Sequence, residues 1–84
     1  MLVRLLYVSK AVNPADQKAI ESIVGVARQY NTGHGLTGVL CYGDGVFMQC
    51  LEGGRDAVNA LYGHIIRDKR HQDVVLLRYE EIVE

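Results

Sequence analysis

Apolar positions recur along this chain at two different periods, and glycine, proline and asparagine separate the runs. Leu2 to Val8 is a short, mostly apolar stretch with Arg4 inside it, and reads as a strand. Asn13-Pro14-Ala15-Asp16 carries the marks of a helix start: Asn as N-cap, Pro at the first helical position and an acid at the third. Ile20, Ile23, Val24, Ala27 and Tyr30 follow at helical spacing, and the helix should end near Asn31 because Gly33 and Gly35 come next. Leu36 to Tyr42 and Val46 to Leu51 read as two strands joined by Gly43-Asp44-Gly45, a tight hairpin signal. Gly53-Gly54 then breaks the chain. Val58, Leu61, Tyr62, Ile65 and Ile66 mark a second amphipathic helix, and Lys69-Arg70-His71 suits the negative end of its dipole. Val74 to Leu77 is a fourth strand that can run on to Ile82-Val83.

The predicted order is β-α-β-β-α-β. That is the ferredoxin-like member of the α+β class: a four-stranded sheet with both helices on one face. The arrangement hosts unrelated functions, so it decides nothing about activity.

Composition narrows the classes. The 84 residues fit a single domain over 1–84. A 49% hydrophobic and 23% charged chain is not disordered. Nine Lys+Arg against ten Asp+Glu give a net charge of −1, which argues against a nucleic-acid partner bound by charge. No apolar run approaches the ~18 residues of a membrane span, and the first ten residues are too short for a signal peptide. Cys41 and Cys50 lack metal-ligand spacing and lie in apolar strand-like runs, so small buried hydrophobes are expected. Free thiols without a targeting segment point to the cytoplasm.

Strand alternation singles out two polar groups. Val3, Leu5 and Tyr7 share one face of the first strand, and Phe47, Gln49 and Leu51 share one face of the third. If both faces look toward the helices, a phenol and a carboxamide enter an apolar layer. They are either ordinary buried groups satisfied by backbone or a polar pair aimed at a ligand between the helices. Asn31 reads as a turn residue or as an amide at the mouth of that groove. Asp68 and His64 read as solvated groups near the end of the second helix, His34 as an exposed loop residue, and His71 as a cap or a contact to the next strand.

Catalytic readings find little support. The three histidines have no acidic or cysteine partner at metal-motif spacing. Ser9 has no evident histidine base held by a third group. Gly33-His34-Gly35 is too short for a phosphate loop and precedes a strand. Glu52 with Asp56 fits support of the second helix's N-terminus. A small acyl-phosphate hydrolase on this fold would need an anion-binding loop with Arg after the first strand, where Ser9-Lys10-Ala11-Val12 offers one Lys.

Four stretches, in order and at matching spacing, resemble one family across essentially the whole chain. They are Arg4-Leu5-Leu6-Tyr7-Val8-Ser9; Asn31 through Gly35-Leu36-Thr37-Gly38-Val39-Leu40 with Tyr42; Phe47-Met48-Gln49-Cys50-Leu51-Glu52-Gly53; and Ile65-Ile66-Arg67-Asp68-Lys69-Arg70-His71. The chain resembles the BLUF family of blue-light sensors that use FAD. The resemblance implies a photoreceptor rather than an enzyme, with FAD (FMN or riboflavin as alternatives) held non-covalently between the two helices. It implies that Tyr7 donates an electron and a proton, that Gln49 relays and rearranges, and that Asn31 and Asp68 bond the flavin. Ile23, Phe47 and Ile65 would pack against the ring. His64 stands where the family often carries Arg, and Tyr30 where a smaller polar residue or His is common. The family's domains continue into a fifth strand that often carries Trp and Met; this chain stops at Glu84, and Met48 has the wrong strand parity to face Gln49. Output would pass to a downstream effector protein or through a homo-oligomer. The alternative is a flavin-free ferredoxin-like interaction module, which would be colourless.

Overall fold

The computed structural model describes residues 1–33 and 35–83, the side chains of 26–32 excepted. Six elements follow in order: β1 (Leu2–Ala11), α1 (Gln17–Gly33), β2 (Thr37–Gly43), β3 (Val46–Gly54), α2 (Arg55–Arg67) and β4 (His71–Ile82). The strands form one sheet in the order β2-β3-β1-β4, with every neighbouring pair antiparallel. This is the ferredoxin-like arrangement expected from the order of elements.

Alternation along the two central strands builds the core. Val3, Leu5, Tyr7, Ser9 and Ala11 of β1 are buried, as are Phe47, Gln49, Leu51 and Gly53 of β3. The pairing places Leu5 opposite Leu51, Tyr7 opposite Gln49 and Ser9 opposite Phe47. Both helices cover this face, in two separate apolar clusters. Val58 and Leu61 of α2 pack with Val3, Leu5, Tyr7, Leu36 and Leu51. Ile20 of α1 packs with Ala11 and Phe47.

The β2–β3 hairpin closes through Asp44 and Gly45, both with positive φ (52° and 78°), between the paired residues Gly43 and Val46. Two such residues in a two-residue loop match the right-handed twist of the strands. Gly53 is needed for a different reason. A Cβ there would lie 2.3 Å from Leu36 Cδ2, so any larger residue would have to push the buried Leu36 side chain aside.

Several expected boundaries move. Helix α1 starts at Gln17 and not at Pro14, because Asp16 is the better-placed cap: its Oδ1 accepts the Ala19 N–H at 3.0 Å. Asn13 instead closes a turn, its carbonyl accepting the Asp16 N–H at 3.1 Å. The helix runs on to Gly33. Gly53-Gly54 does not break β3 early, since these residues pair with Val3 and Leu2. Helix α2 ends at Arg67 and the chain turns extended at Asp68, so His71 opens β4, and from there its Nε2 still caps the end of α2 by hydrogen-bonding the Ile65 carbonyl. Cys41 is exposed and Cys50 half-buried, because both lie on the sheet face turned away from the helices. Strand β4 changes register with β1 beside Tyr7 and again beside Ser9, where Asp73 has φ 53°. Among the described residues, no helix is long and apolar enough to cross a membrane.

Candidate functional site

The gap between the two apolar clusters is a cavity of about 350 Å³. Its floor is the sheet: Tyr7 from β1, Leu40 from β2, Phe47 and Gln49 from β3. Ile23 of α1 forms one wall, and Leu61, His64 and Ile65 of α2 form the other. Asp68, Arg70 and His71 close the end where α2 hands over to β4. The volume falls in the range of small-molecule sites, and the lining is mostly apolar with a few convergent polar groups.

The central polar contact follows from strand register. Tyr7 and Gln49 are direct cross-strand partners whose side chains leave the sheet on the same face. Tyr7 Oη donates to Gln49 Oε1 at 2.7 Å, with the two residues 4% and 3% exposed. That bond uses the amide oxygen. The amide nitrogen, Nε2, has no hydrogen-bond partner among the described residues. A buried N–H group without an acceptor is unfavourable by ~1–3 kcal/mol, so it points to an acceptor supplied from the cavity. Burial raises the Tyr7 pKa, and the nearby Tyr62 and Asp68 add to the effect, so the phenol keeps its proton. Tyr62 lies with its ring 5.9 Å from that of Tyr7.

At the closed end, Asp68 caps α2 and carries a forked ion pair. Arg70 Nη2 approaches Asp68 Oδ2 at 2.6 Å, and Arg70 Nε lies 3.0 Å from Oδ1. This contact holds the Asp68 carboxyl below its ordinary pKa. Arg70 Nη1 also donates to Ser22 Oγ at 3.2 Å, which ties α1 to the start of β4. His71 points the opposite way, toward the sheet. Its Nδ1 lies 2.7 Å from Ser9 Oγ, and its Nε2 hydrogen-bonds the Ile65 carbonyl.

The structure therefore brings Tyr7, Ile23, Phe47, Gln49, His64, Ile65 and Asp68 to one cavity. Asn31 lies outside the described side chains, as does Tyr30, and His34 lies outside the described residues. Met48 is exposed on the opposite sheet face from Gln49, as its parity requires. Sequence reasoning missed Leu40, Leu61, Arg70 and His71 as lining residues. It also gave Ser9 no histidine partner, and the structure corrects this: the partner is His71, and Ile65 is the third group. The pair is nonetheless no nucleophile, since Ser9 is 2% exposed and its histidine is oriented by a neutral carbonyl. The missed signal was the strand parity shared by Ser9 and Tyr7.

Comparison with known proteins agrees with this fold. The family model described as "BLUF: Sensors of blue-light using FAD" matches residues 2–84. The photoactivated adenylate cyclase subunit alpha of Euglena gracilis is 43% identical over 74 residues, covering 88% of this chain and 7% of that protein. The beta subunit of Euglena longa is 39% identical over 83 residues, covering 99% of this chain and 10% of that protein. Among solved structures, the ground state of BlsA superposes with a TM-score of 0.92 at 37% identity, over 100% of this chain and 57% of that one. The dark state of BlrB, a BLUF protein, gives 0.91 at 34% identity, over 99% of this chain and 63% of that one. The chain thus spans about a tenth or less of these two curated relatives and somewhat over half of these two solved chains. With a family match over nearly every residue and the same fold in its relatives, the chain belongs to the BLUF family of flavin-binding blue-light sensors.

Proposed function

We propose that the cavity between α1 and α2 holds the isoalloxazine ring of a flavin without a covalent bond, and that Tyr7 and Gln49 are the photochemical pair. One observation carries this reading: the buried hydrogen bond from Tyr7 Oη to Gln49 Oε1, beside an amide nitrogen with no partner. A planar ring with a polar edge suits that arrangement. Ile23, Phe47 and Ile65 offer apolar contact to its faces, and Gln49 Nε2 offers a hydrogen bond to an acceptor on its edge. His64 and Asp68 supply polar contacts from the α2 side, and Asn31 supplies an amide from the end of α1. FAD is the proposed form, following the family's description, while the BlrP1 structure from Klebsiella pneumoniae contains FMN. The ring is what these flavins share, and the cavity's size suits the ring.

Excited by blue light, the bound flavin supplies a strong oxidant. The rest is work for the chain's own residues. Tyr7 is the electron donor, and its proton already points at Gln49 Oε1. Burial keeps the phenol neutral at rest, so its proton leaves only with the electron. Gln49 is the group placed to receive that proton. When both return to Tyr7, the amide of Gln49 settles rotated or tautomerised, and a different hydrogen-bonding atom faces the cavity. Gln49 is then a two-state element with no net chemistry, which suits a sensor without catalytic activity of its own.

The signal would pass to a fused or separate effector, or to a second copy of the chain, in a cytoplasmic protein. Relatives named as light-regulated adenylyl cyclases support an effector of the signalling-enzyme type. The deciding experiment is an absorption spectrum of the purified protein before and after blue light. A yellow protein with a small, dark-reversible red shift is expected. A preparation that stays colourless after incubation with excess flavin overturns the reading and favours the flavin-free interaction module.

A further inference from the structure

Groups from three elements meet behind the Tyr7–Gln49 pair. Ser9 lies two positions along β1 from Tyr7, on the same buried face. His71 is the first residue of β4. Ile65, in the last turn of α2, offers its backbone carbonyl. A carbonyl only accepts, so the hydrogen of the imidazole sits on Nε2, and in the neutral ring Nδ1 accepts from the Ser9 hydroxyl. The tautomer is fixed from both ends. The ring is also held in place by Phe47, whose centroid lies 6.2 Å away at an interplanar angle of 89°.

The last carbonyls of a helix lack partners within the helix. That of Ile65 receives two donors from beyond α2: the Asp68 N–H at 3.2 Å and His71 Nε2. The Ile65 side chain lines the cavity, so whatever holds its backbone also sets the position of that wall. Ser9 completes the link to the floor. A hydroxyl buried this deeply in the sheet's inner face is unfavourable without a partner, and His71 is the partner.

We propose that His71 is a positioning residue of the light response: held by Ser9, it pins the last turn of α2 to β1 and fixes the gap between Ile65 and the Tyr7–Gln49 pair. This rests on the reading of that pair as the switch. Without the pin, the α2 wall moves off the floor, the ring binds less tightly, and water reaches the rearranged Gln49, so the lit state relaxes faster.

The test compares flavin-loaded parent, His71→Phe, His71→Gln and Ser9→Ala. Phenylalanine keeps the ring that packs on Phe47 and removes both hydrogen bonds. Glutamine restores a donor within reach of Ile65 and an acceptor within reach of Ser9. His71→Phe should weaken flavin binding by about tenfold, the scale of one net hydrogen bond, and speed dark recovery by a similar factor. His71→Gln should bring both quantities back to within about threefold of the parent, under half the free energy of one such bond. Ser9→Ala should fall between His71→Phe and the parent. A merely structural role would lower the melting temperature without changing recovery. Parental recovery and affinity in His71→Phe overturn the proposal, as does a His71→Gln variant no closer to the parent than His71→Phe. If His71→Phe does not fold, Ser9→Ala decides: faster recovery supports the pin, and parental recovery removes it. Gln49→Leu separates this proposal from the one beneath it, because a parental red shift there removes the switch and leaves the pin's effect on affinity measurable.

Discussion

Arg70 and Asp68 are two residues apart, yet their side chains turn back on each other in a fork, Nη2 to Oδ2 at 2.6 Å and Nε to Oδ1 at 3.0 Å. The carboxylate also accepts the Arg70 backbone N–H at 2.9 Å. One short segment thereby ends α2, closes the cavity and reaches α1 through Ser22. The hydrogen bond from Arg70 is the chief reason the Asp68 pKa is lowered.

This sets the sign of an acid effect. The unfolded chain takes up a proton at Asp68 at a higher pH than the folded protein does. The stabilisation is therefore present above the ordinary value of 3.8 and is lost as pH falls through the lower folded value. Asp68→Asn should remove that part of the acid sensitivity. In melting curves, the stability difference between parent and variant should hold steady above pH 3.8 and shrink as the pH falls below it.

Tyr7→Phe should stay folded and yellow, because phenylalanine keeps the ring that packs in the core. It removes the proton and leaves a much poorer electron donor. Time-resolved fluorescence should show a longer-lived excited flavin, and the light-minus-dark spectrum should lack the red-shifted state. Parental quenching with a parental shift would move the electron donor elsewhere, with Tyr30 the next candidate.

Gln49→Leu should retain flavin and lose the red shift. Most of the cavity lining is apolar, so the Gln49 amide matters less for retention than for the rearrangement, which requires it. A difference spectrum like the parent's would refute the switch assignment.

Asn31→Ala should weaken flavin retention more than Tyr7→Phe. Losing the amide strands polar edge atoms of a buried ring, at ~1–3 kcal/mol, whereas Tyr7 already has Gln49 as its partner. Equal flavin occupancy in the two purified variants would contradict this.

Gly53→Ala tests the packing under the site. Its new methyl would sit 2.3 Å from Leu36 Cδ2, inside a cluster where Leu36 is buried. Overpacking of this kind costs ~1–3 kcal/mol, and the midpoint of urea denaturation should fall accordingly.

Period-two alternation made much of this legible. It grouped Tyr7 with Val3 and Leu5, and Gln49 with Phe47 and Leu51, on one face of each strand, and the burial of those apolar neighbours makes that face the inner one. What escaped depended on where elements end. Asn13-Pro14 is a good helix start locally, and only the alternative cap at Asp16 shows why the helix waits for Gln17. His71 reads in the sequence as either a cap or a strand contact, and the structure makes it both: from the head of β4 it reaches the Ile65 carbonyl at the end of α2 and Ser9 on β1. The cysteines were misjudged because apolar composition was taken for burial, when alternation alone puts Cys41 on the open face.

Sheet order has a consequence for how the protein comes into being. The strand at the heart of the sheet is the first one made, and one of its two neighbours is the last. Leu2 must find Ile82, and Tyr7 must find Leu76, across most of the chain. Contacts this distant in sequence slow folding, because the loop must close before it is rewarded. On the ribosome, β1 would wait with one edge unpaired until residues 71–82 emerge. The His71 contact to Ser9 forms only in that final step, so the photoreceptor cannot acquire its finished pocket before synthesis has passed β4.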